Sequence, residues 1–226
     1  MILKRLVLLI PLVTAACAWA DDPITVGIPS ESFDYVAAAQ EAQDWCWAAS
    51  SEMILRWFDI EVTQRDVVHR VKGRLADQPA SEQDITTALT GIARLRSGKT
   101  ALVRTINAAG IPHSRAILSA MEHRMPILLA LDAGPGTGHT VVLTAVRYVR
   151  TPSGPQIVSL IMRDPYPSQS NIRNKGRVEI SGRDLQNFVQ YIKRSWIVSV
   201  TPQKPSFKAP SSKGKSNKVG DTTAYR

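Results

Sequence analysis

The chain has 226 residues, 44% of them hydrophobic, and a formal charge of +9, which suits a globular protein able to bury a sizeable core. The charge sits at the ends: residues 202–226 carry +5, and Lys4 and Arg5 add +2, leaving 20 basic against 18 acidic residues between 21 and 201. A body so close to neutral has no electrostatic footprint for a phosphate backbone, which excludes nucleic acid as a partner.

Lys4 and Arg5, the apolar run Leu6 to Ala16, and Ala18-Trp19-Ala20 before Asp21-Asp22 form the pattern of a cleavable export signal over residues 1–20. The apolar run is shorter than the roughly 18 to 20 residues a spanning helix needs, so no stable membrane span is expected. Export places the protein in the periplasm or outside the cell, with lipidation at Cys17 as the lesser alternative. Residues 21–201 then form one domain. The stretch 202–226, with Pro205, Pro210 and a Ser/Lys/Gly run, lacks the apolar residues that offset ordering entropy and is expected to be a disordered basic tail.

Within the domain, apolar residues at helical spacing predict a helix from Cys46 to about Asp59. A second helix is expected near Gln64–Val71, and a third from Ser81, where Ser81 and Asp84 resemble a capping box. The segment 94–110 is ambiguous: Ala101, Leu102 and Ile106 fit a helix, whereas 96–100 reads as a loop. A helix is expected from Ser114 to about Arg124, after which the composition changes. Ile127–Leu131, His139–Arg150 and Gln156–Arg163 are rich in Val, Ile and Leu and read as strands. The Gly134-Pro135-Gly136 stretch interrupts the first pair, and Thr151 to Pro155 turns the second into a hairpin. Arg177–Ile180 adds a strand, Ser181 with Asp184 caps a short helix through Tyr191, and Trp196–Val200 closes the sheet. Helices first and antiparallel strands afterwards give an α+β domain.

Two cysteines occur, and Cys46 alone remains once the signal is removed. An unpaired thiol in an oxidising compartment cannot be a disulfide half within its own chain, which marks it as reactive or intermolecular. At a helix N-terminus, beside an imidazole, a thiol is ionised by the helix field and the neighbouring cation. Of the four histidines only His139 opens a strand after a glycine-rich loop; His69, His113 and His123 sit in or beside helices. Asp164 ends the strand paired with that of His139, and Pro165 stops the ladder there, so its carboxylate is suited to orient the ring. Gln40 and Gln43 are both candidates for a side-chain oxyanion donor. Trp45 and Trp47 are expected in the core or cleft wall, and Asp132 as a turn former. No His, Cys or carboxylate pairs stand at metal-ligand spacing, so no metal or other cofactor is expected.

Gln40 six residues before Cys46-Trp47-Ala48-Ala49-Ser50, Gly138-His139 opening a strand, and Asp164 after the next strand together resemble the papain-like cysteine peptidases. The resemblance covers about residues 35–200 and is to the bacterial branch that includes the AvrRpt2-type and C39-like peptidases. It implies a papain-like fold, Cys46 as nucleophile, His139 as general base and acid, Asp164 as its orienter, Gln40 as oxyanion donor, and a protein or peptide substrate. Only about 25 residues separate the expected cleavage site from Cys46, too few for a long inhibitory pro-segment, so an inhibitor or regulator protein is a further candidate partner. A cell-wall amidase, a transglutaminase-like acyl transferase on the same triad, and a non-catalytic binding module of the same fold stay open as alternatives.

Overall fold

The computed structural model describes residues 22–134 and 137–203. The expected export signal, Cys17, Pro135-Gly136 and the tail from 204 onward lie outside the described residues.

Two short elements come first, β1 (Ile24–Gly27) and α1 (Ser30–Phe33). Then follow α2 (Cys46–Trp57), α3 (Gln64–Lys72), α4 (Glu82–Ala88), β2 (Gly91–Arg94), β3 (Thr100–Ala109) and α5 (Ser114–Glu122). The second half holds β4 (Ile127–Gly134), β5 (Thr137–Thr151), β6 (Gly154–Arg163), α6 (Gln169–Arg173), β7 (Arg177–Ser181), α7 (Gly182–Tyr191) and β8 (Ile192–Pro202). The strands make one antiparallel sheet, eight-stranded among the described residues, in the order β2-β3-β8-β4-β5-β6-β7, with β1 paired to β5. The fold is α+β and papain-like: a helix beginning at Cys46 packs against a mostly C-terminal antiparallel sheet.

Both faces of the sheet are covered, and the strand pattern shows why. Leu128 and Val142 lie in a core shared with Trp47, Ile54 and Leu55 of α2 and with Trp196 and Val198 of β8. Their neighbours Ile127, Leu129, Val141 and Leu143 lie in a second core with Ile117, Ala120 and Met121 of α5. Alternate residues on a strand face opposite sides, so central strands that are apolar on both faces require a helical layer on each. The amphipathic α7 packs Leu185, Phe188 and Val189 on the second core.

Sequence and structure differ at four places. Residues 94–110, ambiguous in sequence, are the turn and second strand of the β2–β3 hairpin. Ala101 and Val103 point inward with period two, while Ile106, which fitted a helix, is 73% exposed. With β1, β2 and β3 the first half is not purely helical. The last strand does not close an edge: β8 lies inside the sheet between β3 and β4 and runs to Pro202, with Gln203 N–H bonded to Thr100 O. Finally, Ser181 occupies the N-cap of α7 without a side-chain cap bond, whereas Ser81 and Asp84 form the full capping box of α4.

Candidate active site

Cys46 is the first residue of α2, and its helix follows Trp45 without a side-chain cap. The next turn is built from small residues, and Ala48, Ala49 and Ser50 are fully buried. Small side chains let the helix approach β5 closely enough for Ser50 Oγ to reach Thr140 O at 3.3 Å and Thr140 Oγ1 at 3.1 Å. That approach brings the Cys46 thiol to His139, the residue before Thr140 on β5.

His139 Nε2 bonds Asp164 Oδ1 at 2.7 Å, which leaves Nδ1 as the ring nitrogen for the hydrogen bond with Cys46. Both His139 and Asp164 are partly buried. Asp164 is the first residue beyond β6. Its N–H is bonded to Gly176 O at 2.8 Å, and its Oδ1 also accepts Tyr166 N–H at 2.8 Å. Gly176 has a φ of +72°, and a Cβ on it would lie 2.3 Å from Asp164 O; only glycine combines that backbone with so close an approach.

Burial lowers the basicity of the His139 ring, but hydrogen bonds and charge from Asp164 and Cys46 more than reverse this and raise its pKa to about 9. For Cys46, burial pushes the thiol up, while the His139 hydrogen bond and charge and the side chain and backbone of Thr140 bring it below the ordinary thiol value. Both directions favour a thiolate–imidazolium pair.

The pair opens into a cleft of about 620 Å³ lined on one side by Gln40, Gln43, Cys46 and Trp47, and on the other by His139, Asp164 and Tyr166, with Pro79, Ile85 and Leu131 as apolar floor and rim. His69, His113 and His123 do not line it. Gln40 is partly buried, and its Nε2 donates to Ala42 O at 2.9 Å and Gln43 O at 2.6 Å. Its backbone N–H is bonded to Pro165 O at 2.8 Å, tying it to the Asp164 loop. The Gln43 side chain is exposed. Asp132 serves the β4–β5 turn: it accepts Gly134 N–H at 3.0 Å and pairs with Lys193 at 3.0 Å.

Trp45 and Trp47 are buried, and each has a second role. Trp45 Nε1 donates to Ala76 O at 2.9 Å and Trp47 Nε1 to Gln78 O at 3.1 Å, while Asp44 N–H donates to Asp77 Oδ1 at 2.8 Å. These bonds hold the loop that carries Pro79 and Ala80 against the start of α2. Thr140, Tyr166 and Gly176 escaped the sequence reading; adjacency to His139 and Asp164 was the available signal for the first two, and Gly176 had none beyond a turn-like Asn174-Lys175-Gly176. Among the described residues no group of three His, Cys, Asp or Glu side chains could hold a metal, and no helix is long and apolar enough to cross a membrane.

No curated protein matches the sequence. Among solved structures, recombinant stem bromelain precursor superposes with a TM-score of 0.42 at 14% identity, covering 82% of this chain and 76% of that one. Residues 29–176, a span holding Gln40, Cys46, His139 and Asp164, match the family described as papain-like cysteine protease AvrRpt2. The chain belongs to that family of papain-like cysteine proteases.

Proposed function

We propose that the protein is an exported cysteine peptidase that hydrolyses peptide bonds through a Cys46–His139–Asp164 triad, with Gln40 in the oxyanion hole. One observation carries this reading: His139 bridges Asp164 at 2.7 Å and a thiol at a helix N-terminus, in the lining of a cleft of about 620 Å³. The export signal over residues 1–20 supports action in the periplasm or outside the cell, on a protein or peptide substrate.

The Cys46 thiolate adds to the scissile carbonyl carbon, and the carbonyl oxygen becomes an oxyanion. Two donors serve it in this reading: the Cys46 N–H, one of the first-turn amides without an intrahelical acceptor, and Gln40 Nε2, whose hydrogens go to Ala42 O and Gln43 O in the free protein and one of which turns to the oxyanion when substrate is bound. Collapse breaks the C–N bond while the His139 imidazolium gives its proton to the departing amine. The resulting thioester is attacked by water, His139 takes the water proton, and the acid product leaves as the thiolate is restored. Asp164 keeps Nε2–H fixed throughout, so that Nδ1 always faces the sulfur.

Incubation of wild type and Cys46→Ala with denatured casein and with purified peptidoglycan tests the reading. Casein fragments from wild type alone support it. Release from peptidoglycan with intact casein transfers the triad to a cell-wall amidase, ester or amine exchange without hydrolysis to an acyl transferase, and no reaction with either, together with no epoxide labelling of Cys46, to a binding module. For the donor, Gln40→Ala should lower kcat by on the order of 10² to 10³ while leaving KM nearly unchanged. Iodoacetamide forms no oxyanion, so alkylation of Cys46 should survive in that variant. If Gln43→Ala behaves this way and Gln40→Ala is normal, the donor is Gln43.

A further inference from the structure

Gln64 opens α3, a place where a glutamine ordinarily faces water, yet it is 1% exposed. Its carboxamide makes three bonds. Oε1 accepts Glu41 N–H at 2.9 Å, and Nε2 donates to Ala39 O at 2.9 Å and to Glu52 Oε2 at 3.1 Å. The first two bracket Gln40 from both sides along the chain, as a neighbouring strand would, and the Pro165 O bond to Gln40 N–H fixes the residue from the opposite direction. The third bond leads to the nucleophile helix. Glu52 lies on α2, is 6% exposed, and is held by Arg56 at 3.2 Å as well as by Gln64. Burying a carboxylate is unfavourable unless it is hydrogen-bonded, and this one spends a bond on orienting a second buried polar side chain.

From these contacts we infer that Gln64, oriented by Glu52, is a positioning residue that fixes Gln40 relative to Cys46. The inference rests on the reading of Gln40 as oxyanion donor and extends it by naming the groups that hold the donor in register with the sulfur. A continuous path runs from the Cys46 helix through Glu52 and Gln64 to the backbone on either side of Gln40. An oxyanion donor acts only if it stands at hydrogen-bond distance from the atom that becomes charged, and a displacement of about 1 Å costs on the order of 10²-fold in rate. A peptide segment with no regular structure of its own, as between Ala38 and Asp44, needs such external bonds to hold that distance.

The test is kcat, KM and the iodoacetamide rate in Gln64→Met, Gln40→Ala and the double variant. Methionine keeps length and volume but has no donor and only a weakly accepting thioether sulfur. The expected result is a kcat loss on the order of 10 to 10²-fold in Gln64→Met with KM and alkylation near wild type, and no further loss when Gln64→Met is added to Gln40→Ala, since both act through one contact. A Gln64→Met loss that multiplies with that of Gln40→Ala, or one that reduces alkylation in parallel, overturns the inference and leaves Gln64 as a packing residue. Near-normal kcat in Gln64→Met beside an impaired Gln40→Ala overturns it alone; normal kcat in Gln40→Ala overturns the donor reading itself. If Gln64→Met does not fold, the combined exchange Gln64→Glu with Glu52→Gln keeps a buried hydrogen-bonded pair but sets an oxygen against Ala39 O, and the same loss of kcat without loss of alkylation is expected; full activity in that variant also overturns the inference.

Discussion

The two walls of the cleft are held by different means. On the sheet side, His139 stands opposite Leu131 in the β4–β5 ladder, and Asp164 directly follows Arg163, which pairs with Val142. Strand register sets both positions, and a slip by one residue would turn every side chain of β5 to the wrong face. On the helix side, Gln40, Cys46 and the Pro79–Ala80 rim depend on separate side-chain-to-backbone bonds from Gln64, Trp45, Trp47 and Asp77. The ladder of the sheet wall is cooperative, so a change within its strands either unfolds or does little beyond its own chemistry. The helix wall is assembled bond by bond, so one lost bond shifts one loop.

The largest expected effects come from removing the chemistry itself. Cys46→Ala and His139→Ala should each reduce peptide hydrolysis by about 10⁴-fold or more while melting close to wild type, as kcat and thermal unfolding would reveal; residual turnover above a few per cent in either excludes the triad. Asp164→Asn should be milder, since an amide can still orient the ring. Loss of one charge-assisted bond of about 1.5–3 kcal/mol corresponds to about 10- to 10²-fold. The same variant carries a pH signature. Ring protonation is kept up to a pKa of about 9 partly by Asp164, and the ion pair is lost as pH rises through that value. Removing the Asp164 charge therefore moves the alkaline limb of kcat/KM to lower pH. An unmoved limb would separate Asp164 from His139.

Gly176→Ala, outside the strands, probes the close backbone approach beside the Asp164 turn. A Cβ 2.3 Å from Asp164 O at a φ of +72° must displace the Asp164 turn, with a stability loss of about 1–3 kcal/mol and a kcat loss resembling that of Asp164→Asn. Unchanged activity together with unchanged melting would contradict the packing described here. The smallest effect should come from Trp47→Phe, which removes the bond to Gln78 O but retains most of the buried ring. A loss of about 1 kcal/mol, a Tm lower by about 2–4 °C, and a few-fold rise in KM with kcat unchanged are expected, because the variant frees the substrate-facing loop and not the reacting groups. A fall in kcat at constant KM would place Trp47 closer to the chemistry.

The same division explains what was legible in the sequence. The sheet wall announced itself through apolar runs with turn residues between them, and the Cys46 helix through its spacing of Trp47, Ile54 and Leu55. The position of β8 inside the sheet was not legible, because strand order depends on long-range pairing that leaves no mark in a local window. The β2–β3 hairpin is ambiguous in sequence because Leu102 and Ile106, four residues apart, fit a helical period and a strand period at once, and the exposed Ile106 misled. The bonds of the helix wall were legible least of all. A glutamine in the first turn of α3 carries no local sign that it is buried, and nothing in Trp45 or Trp47 says which carbonyl its indole will meet 31 residues on.

We propose above all that His139 holds Cys46 as a thiolate and that peptide hydrolysis starts from that state. The most direct measurement is the iodoacetamide alkylation rate of Cys46 against pH, followed by peptide hydrolysis of the labelled protein. The expected result is a rate already high at neutral pH, titrating below the ordinary thiol range with a second change near the His139 value of about 9, and complete loss of hydrolysis at one label per chain. A single titration near the unperturbed cysteine value of about 8.5, or hydrolysis that survives full labelling, would contradict it.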